Sequence, residues 1–284
     1  MRFGAGSPGA SNQERIVIEY LNVSAPDGVA AGARVCGRRG GALLFVHGVG
    51  STAAIWDPQL RAFGQGYRCA AVELRGNGVP KPEPDPARIS RAGYAQDALA
   101  VADALGFERF TVVGCSLGGV VAFELWRSVP ERIASMAIVG SFARYPNARE
   151  TADGIEAAVR AAGSMPAFAR ARAAKLGLAP ERTAETIEQM GRKDVNSYLA
   201  ATEATWTGDY REILPSIFVP VLVTCGERDA VAPPELSREI AAAIPGSRLA
   251  FVPGAGHVAN ADNPKAFDAL LREFLESAGA PPTP

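Results

Sequence analysis

One serine in this chain stands where its hydroxyl could be activated. Gly114-Cys115-Ser116-Leu117-Gly118 matches G-x-S-x-G, the pattern of a sharp turn that lifts a nucleophile onto the end of a strand. A serine hydroxyl attacks poorly at neutral pH. It needs a base to take its proton, an acid to orient that base, and N–H donors for the oxyanion that develops. Pentapeptides of this form are common by chance, so the other parts must be found elsewhere in workable order.

Counting narrows the base, because the chain has two histidines. His47 sits in His47-Gly48-Val49-Gly50, directly after an apolar run, a place suited to shaping a loop. His257 sits in Gly254-Ala255-Gly256-His257, after the last predicted strand. Loops that follow parallel strands open on one edge of a sheet, so His257 is the favoured base. The favoured acid is Asp229, in Gly226-Glu227-Arg228-Asp229, which gives the chain order Ser, Asp, His. Such an acid holds the imidazole tautomer and stabilises the imidazolium. Glu227 is its alternative, and Asp262 reads as a cap for the last helix. The oxyanion donors are expected to be the Leu117 and Val49 amides, with Gly48 and Gly50 allowing an unusual backbone. Cys115 reads as a small buried filler, since an elbow of this kind exposes its central residue.

These residues need a scaffold. Short apolar runs alternate with helical patterns, the signature of a mostly parallel sheet covered by helices. Strands are expected at Ile16 to Val23, Ala30 to Cys36, Ala42 to Val46, Tyr67 to Leu74, Phe110 to Val113, Ile133 to Val139, Val219 to Thr224 and Arg248 to Val252. The first two read as a hairpin through Pro26-Asp27-Gly28. Helices are expected at Trp56 to Phe63, Ser90 to Leu105 with Ser90 as N-cap, Gly118 to Val129, and Asn263 to Ser277. A loop with Pro80, Pro82, Pro84 and Pro86 can be neither helix nor central strand. From Ser141 to Glu212 the rhythm changes to Ala- and Arg-rich helical stretches broken by Gly154, Gly163-Ser164, Pro166, Pro180 and Gly191. The expected organisation is a flexible start at 1–13, a core at 14–140 and 213–277, a helical insert at 141–212, and a flexible tail at 278–284.

Composition limits the partners. With 284 residues, 48% hydrophobic and 21% charged, the chain suits one soluble α/β domain with an insertion. A formal net charge of -1 gives no support for nucleic acid or an anionic membrane as partner. No stretch has the apolar length of a membrane helix. The Gly/Ser-rich start lacks the apolar core of a signal peptide, so a cytoplasmic protein is expected. Cys36, Cys69, Cys115 and Cys225 are scattered, without a C-x-x-C pair, and read as buried free thiols. No metal or nucleotide motif appears, so no cofactor is expected. Oligomeric state is not legible.

The ordered set His47-Gly48-Val49-Gly50, Trp56-Asp57, Arg75-Gly76-x-Gly78, Gly114-x-Ser116-x-Gly118-Gly119, Gly226-x-x-Asp229 and Gly254-x-Gly256-His257 resembles the α/β-hydrolase fold superfamily. The resemblance runs from about residue 14 to 277 and thins out in the insert. It is nearest to small bacterial carboxylesterases and 3-oxoadipate enol-lactonase-like hydrolases, an impression to which Trp-Asp-Pro-Gln-Leu at 56 to 60 contributes. The likeness implies an eight-stranded, mostly parallel sheet with a helical cap after the sixth strand. It implies a small-molecule ester or lactone as substrate, cleaved without a cofactor through an acyl-enzyme on Ser116. C–C hydrolysis, acyl transfer or cyclisation on the same triad, and a non-enzymatic receptor, are the alternatives. A serine rather than an aspartate at the elbow argues against dehalogenase and epoxide-hydrolase chemistry. Pocket residues are expected to include His47 and Gly48, with Phe142 and Trp206 flanking the hinges of the insert. The sequence departs from the family at Glu73, Asn77 and Pro80, in the loop after the fourth strand.

Overall fold

A computed structural model describes residues 16–77, 85–174 and 180–279. The expected flexible start, and Gly78, Val79, Pro80, Pro82 and Pro84 of the proline-rich loop, lie outside the described residues, as does the tail beyond Gly279. The strands are β1 (Glu19–Ser24), β2 (Ala30–Cys36), β3 (Ala42–Val46), β4 (Arg68–Glu73), β5 (Phe110–Cys115), β6 (Ile133–Val139), β7 (Val221–Gly226) and β8 (Arg248–Val252). They form one sheet in the order β1-β2-β4-β3-β5-β6-β7-β8, antiparallel at β1–β2 and β2–β4 and parallel from β4 to β8. β1 starts at Glu19, three residues later than its apolar run, and closes on β2 through a turn with Gly28 at φ 79°.

The helices are α1 (Asp57–Phe63), α2 (Arg91–Ala104), α3 (Leu117–Ser128), α4 (Ala148–Ala162), α5 (Met165–Ala173), α6 (Pro180–Gly191), α7 (Val195–Trp206), α8 (Pro234–Ala243), the single turn α9 (Ala259–Asp262) and α10 (Pro264–Ser277). β3, β5 and β7 are buried along their whole length, which is why they read as continuous apolar runs rather than alternating ones. The two faces can still be told apart by the period of two. Leu44, Val46 and Val112 pack into one core with α2, α3 and α8. Leu43, Phe45 and Val113 pack into the other with α1 and α10. Ser90 caps α2 as its sequence suggests, its Oγ accepting from Gly93 N–H at 3.0 Å.

α8 has no counterpart in the sequence reading. Pro233-Pro234 looks like a breaker, yet a proline in the first turn of a helix costs nothing, because that N–H has no intrahelical partner. α4 to α7 all lie between β6 and β7. Val159, Met165, Phe168, Met190 and Tyr198 give them an apolar cluster of their own. The two connecting segments meet where Tyr210 N–H donates to Ala143 O at 2.8 Å. Among the described residues, no helix is long and apolar enough to cross a membrane.

The register brings the chemistry together. Gly114 pairs with Val46 on one side and Ile138 on the other, Val139 pairs with Thr224, and Gly226 pairs with Val252. The loops carrying His47, Ser116, Phe142, Asp229 and His257 therefore all leave one edge of the sheet.

Candidate active site

The elbow is built by close backbone contact. Ser116 has φ 55° and ψ −115° and directly precedes α3. A side-chain-bearing residue at such a φ is strained and persists only where its surroundings fix it. Here Ser116 N–H donates to Val139 O at 2.9 Å, and Ser141 Oγ donates to Ser116 O at 2.8 Å. A Cβ on Gly114 would lie 2.1 Å from Gly118 O, and one on Gly118 would lie 2.1 Å from Val46 O. Only glycine fits either place. The first-turn amides of α3, Leu117 among them, have no carbonyl partner within the helix and carry its positive end.

His257 Nδ1 lies 2.9 Å from Asp229 Oδ2 and 3.0 Å from Oδ1. A carboxylate only accepts, so Nδ1 carries the proton and Nε2 of the neutral ring is left as the basic nitrogen. Asp229 Oδ1 also accepts from Val231 and Ala232 N–H, each at 2.9 Å. These bonds fix the carboxylate, whose side chain is fully buried beneath a His257 that is 8% exposed. Glu227 points elsewhere: exposed, it accepts from Gly254 N–H at 2.9 Å and ties the turn before His257.

Asp262 does not cap the last helix. Asn263 does, its Oδ1 accepting from Ala266 N–H at 3.2 Å. Asp262 instead accepts from Gly256 N–H at 2.9 Å, bracing the loop that presents His257. Burial pushes its carboxyl above the ordinary range, against the pull of that N–H and of His257. A cap at either residue reads alike in sequence, and the Pro264 start of α10 selects the residue directly before it.

A cavity of about 70 Å³, open to solvent on one side, joins the sheet edge to the insert. Gly48, Val49, Ser116 and His257 line it from the sheet side, and Arg172, Gln189, Met190, Tyr198 and Trp206 from the insert. Leu117 is fully buried below the cavity, so its part in the site rests on its backbone N–H.

Two expected pocket residues stand behind the wall. Phe142 is 1% exposed and stacks on Trp206 with centroids 5.3 Å apart, so it backs Trp206 rather than lining the cavity. His47 is fully buried. Its Nδ1 lies 2.8 Å from Gly48 O, and its Nε2 accepts from Leu74 N–H at 3.2 Å with Glu73 Oε1 at 3.4 Å. It braces the loop, as the His-Gly-x-Gly setting suggests. Arg172 and Gln189 were missed because helical spacing cannot say which face of an inserted helix meets the cavity. Cys115, like the other three cysteines, is buried and free, and burial, with Asp229 nearby, pushes its thiol far above its ordinary range.

Comparison with known proteins agrees with this architecture. Residues 43–270 match the model of the Alpha/beta hydrolase family, and the chain belongs to that family. A pimeloyl-[acyl-carrier protein] methyl ester esterase of Neisseria meningitidis is 30% identical over 252 residues, 82% of this chain and 93% of its own length. A protein of Azorhizobium caulinodans named as a carbamate hydrolase, RutD, is 29% identical over 242 residues, covering 82% and 90%. The crystal structure of the enol-lactonase from Burkholderia xenovorans superposes with a TM-score of 0.81 at 26% identity, over 90% of this chain and 99% of the other.

Proposed function

We propose that the protein is a cofactor-independent serine hydrolase of small or medium carboxylic esters or lactones. The observation that carries this reading is the Ser116 elbow and the Asp229-held His257 opening into one cavity. In the proposed mechanism His257 Nε2 takes the Ser116 proton as Oγ attacks the acyl carbon. The Leu117 and Val49 amides hold the tetrahedral oxyanion. His257 then protonates the leaving alcohol, and water activated by the same ring releases the acid. α4 to α7 act as a cap that sets substrate shape. The esterase and enol-lactonase likenesses favour an ester carbonyl, and the likeness to RutD places a carbamate within reach of the same attack.

Among the described residues, the cap side of the cavity carries a single kind of charge. Arg172 lines it, and among the described residues its guanidinium has no ion-pair or hydrogen-bond partner. A basic residue in the last turn of α5 suits the helix dipole, but its place in the cavity wall favours substrates with a carboxylate remote from the scissile bond. Turnover of 4-nitrophenyl esters by wild type and by Ser116→Ala tests the reading. The expected loss is on the order of 10⁴ or more, and near-wild-type turnover in the variant overturns it.

A further inference from the structure

The turn that presents Val49 is gripped at four points by buried polar side chains. His47 Nδ1 meets Gly48 O at 2.8 Å, Gly50 N–H donates to Asn77 Oδ1 at 3.4 Å, Lys193 Nζ donates to Ser51 O at 3.2 Å, and Ala53 N–H donates to Glu73 Oε2 at 3.2 Å. All four residues are buried. Glu73, at the end of β4, and Asn77, just after it, are two of the three positions at which the sequence departs from the family pattern, and both hold the Gly48–Ala53 segment.

Three of the four grips come from the core, and Lys193 comes from the insert, between α6 and α7. Lys193 is 5% exposed, and its ammonium also donates to Asn77 O. A buried ammonium is costly unless its donors are satisfied, and here backbone carbonyls of two core loops satisfy it. Arg75 keeps the second of those loops rigid, held by Asp97 at 2.8 Å and Asp27 at 2.6 Å. Val49 itself packs against both the main core and the apolar cluster of the insert.

We infer that Lys193 is a positioning residue through which the insert sets the oxyanion donor: the Val49 amide is in register when Lys193 is seated on Ser51 and Asn77. This rests on the serine-hydrolase reading and on Val49 as a donor. It makes the insert part of the catalytic geometry as well as a shape filter over the substrate.

The test compares wild type with Lys193→Met and Lys193→Arg, using 4-nitrophenyl acetate and an alkyl trifluoromethyl ketone that forms a tetrahedral adduct on Ser116. Removing an oxyanion donor outright costs on the order of 10²–10³ in kcat, so displacing one should cost roughly ten- to a hundredfold. Lys193→Met is expected to lose that factor in kcat and, in parallel, in ketone affinity, with KM within about threefold. Lys193→Arg should recover part of both. If Lys193→Met does not fold, Lys193→Gln is measured instead, with a loss of about tenfold in both expected. A folded variant with kcat within twofold, or one whose kcat falls while ketone affinity holds, overturns the role of Lys193. A wild type that neither hydrolyses the ester nor binds the ketone overturns the serine-hydrolase reading itself.

Discussion

Replacing Asp229 with asparagine keeps the shape of the site and reverses the instruction given to His257. Asp229 Oδ1 accepts from two backbone amides, Val231 and Ala232, at 2.9 Å. An asparagine must keep its carbonyl there, because turning the NH₂ toward them would lose two buried bonds and face donor against donor. Its NH₂ then faces His257 Nδ1. That nitrogen is forced to accept, the ring proton moves to Nε2, and the base for Ser116 is gone. Loss of the correct tautomer in a triad lowers kcat by about 10⁴, or about 5.5 kcal/mol of barrier. The backbone bonds survive, so the melting temperature should move by only a few degrees. Initial rates on 4-nitrophenyl acetate with a thermal melt give both quantities. Glu227→Gln is the comparator, expected within about threefold of wild type because, among the described residues, Glu227 holds only Gly254 N–H. An Asp229→Asn protein within tenfold of wild type and equally stable would refute the assignment of the acid.

Two further outcomes follow from named contacts. Gly114→Ala places a Cβ 2.1 Å from Gly118 O, backbone against backbone. It should cost about 3 kcal/mol or more, roughly 6–12 °C in Tm, and a melt within about 2 °C of wild type would contradict the packing argument. Arg172→Gln should reduce the kcat/KM ratio of a carboxylate-bearing ester to its neutral analogue by roughly ten- to a hundredfold. Steady-state rates on mono-4-nitrophenyl glutarate and 4-nitrophenyl butyrate measure that ratio, and an unchanged ratio would remove Arg172 from substrate recognition.

Much of the sheet was legible because its central strands are buried on both faces and so appear as nearly continuous apolar runs. The Ser116, Asp229 and His257 candidates were legible for a different reason. They follow predicted strands, and parallel strands deliver their loops to one edge. Scarcity helped: with two histidines, placing His47 in a loop-shaping turn left His257 for the base. What stayed hidden depends on direction rather than position. Asp262 and Asn263 are adjacent, both suit a cap, and only the helix start at Pro264 separates their roles. Phe142 and Trp206 both flank the insert, yet stacking puts one behind the other. Pro233-Pro234 concealed α8, because a proline pair marks a helix start and a break alike. Lys193 and Arg172 are two basic residues in a helical stretch of mixed charge, and spacing alone gives no sign that one bonds core carbonyls and the other lines the cavity.

The central claim is that Ser116 is an activated nucleophile, and covalent capture tests it most directly. Wild type and Ser116→Ala would be incubated with a fluorophosphonate, and the intact mass and the modified peptide measured. The account predicts one adduct per wild-type chain, mapped to Ser116, and none on the variant. A folded wild type that takes no label, or a Ser116→Ala chain that labels equally well, would contradict it.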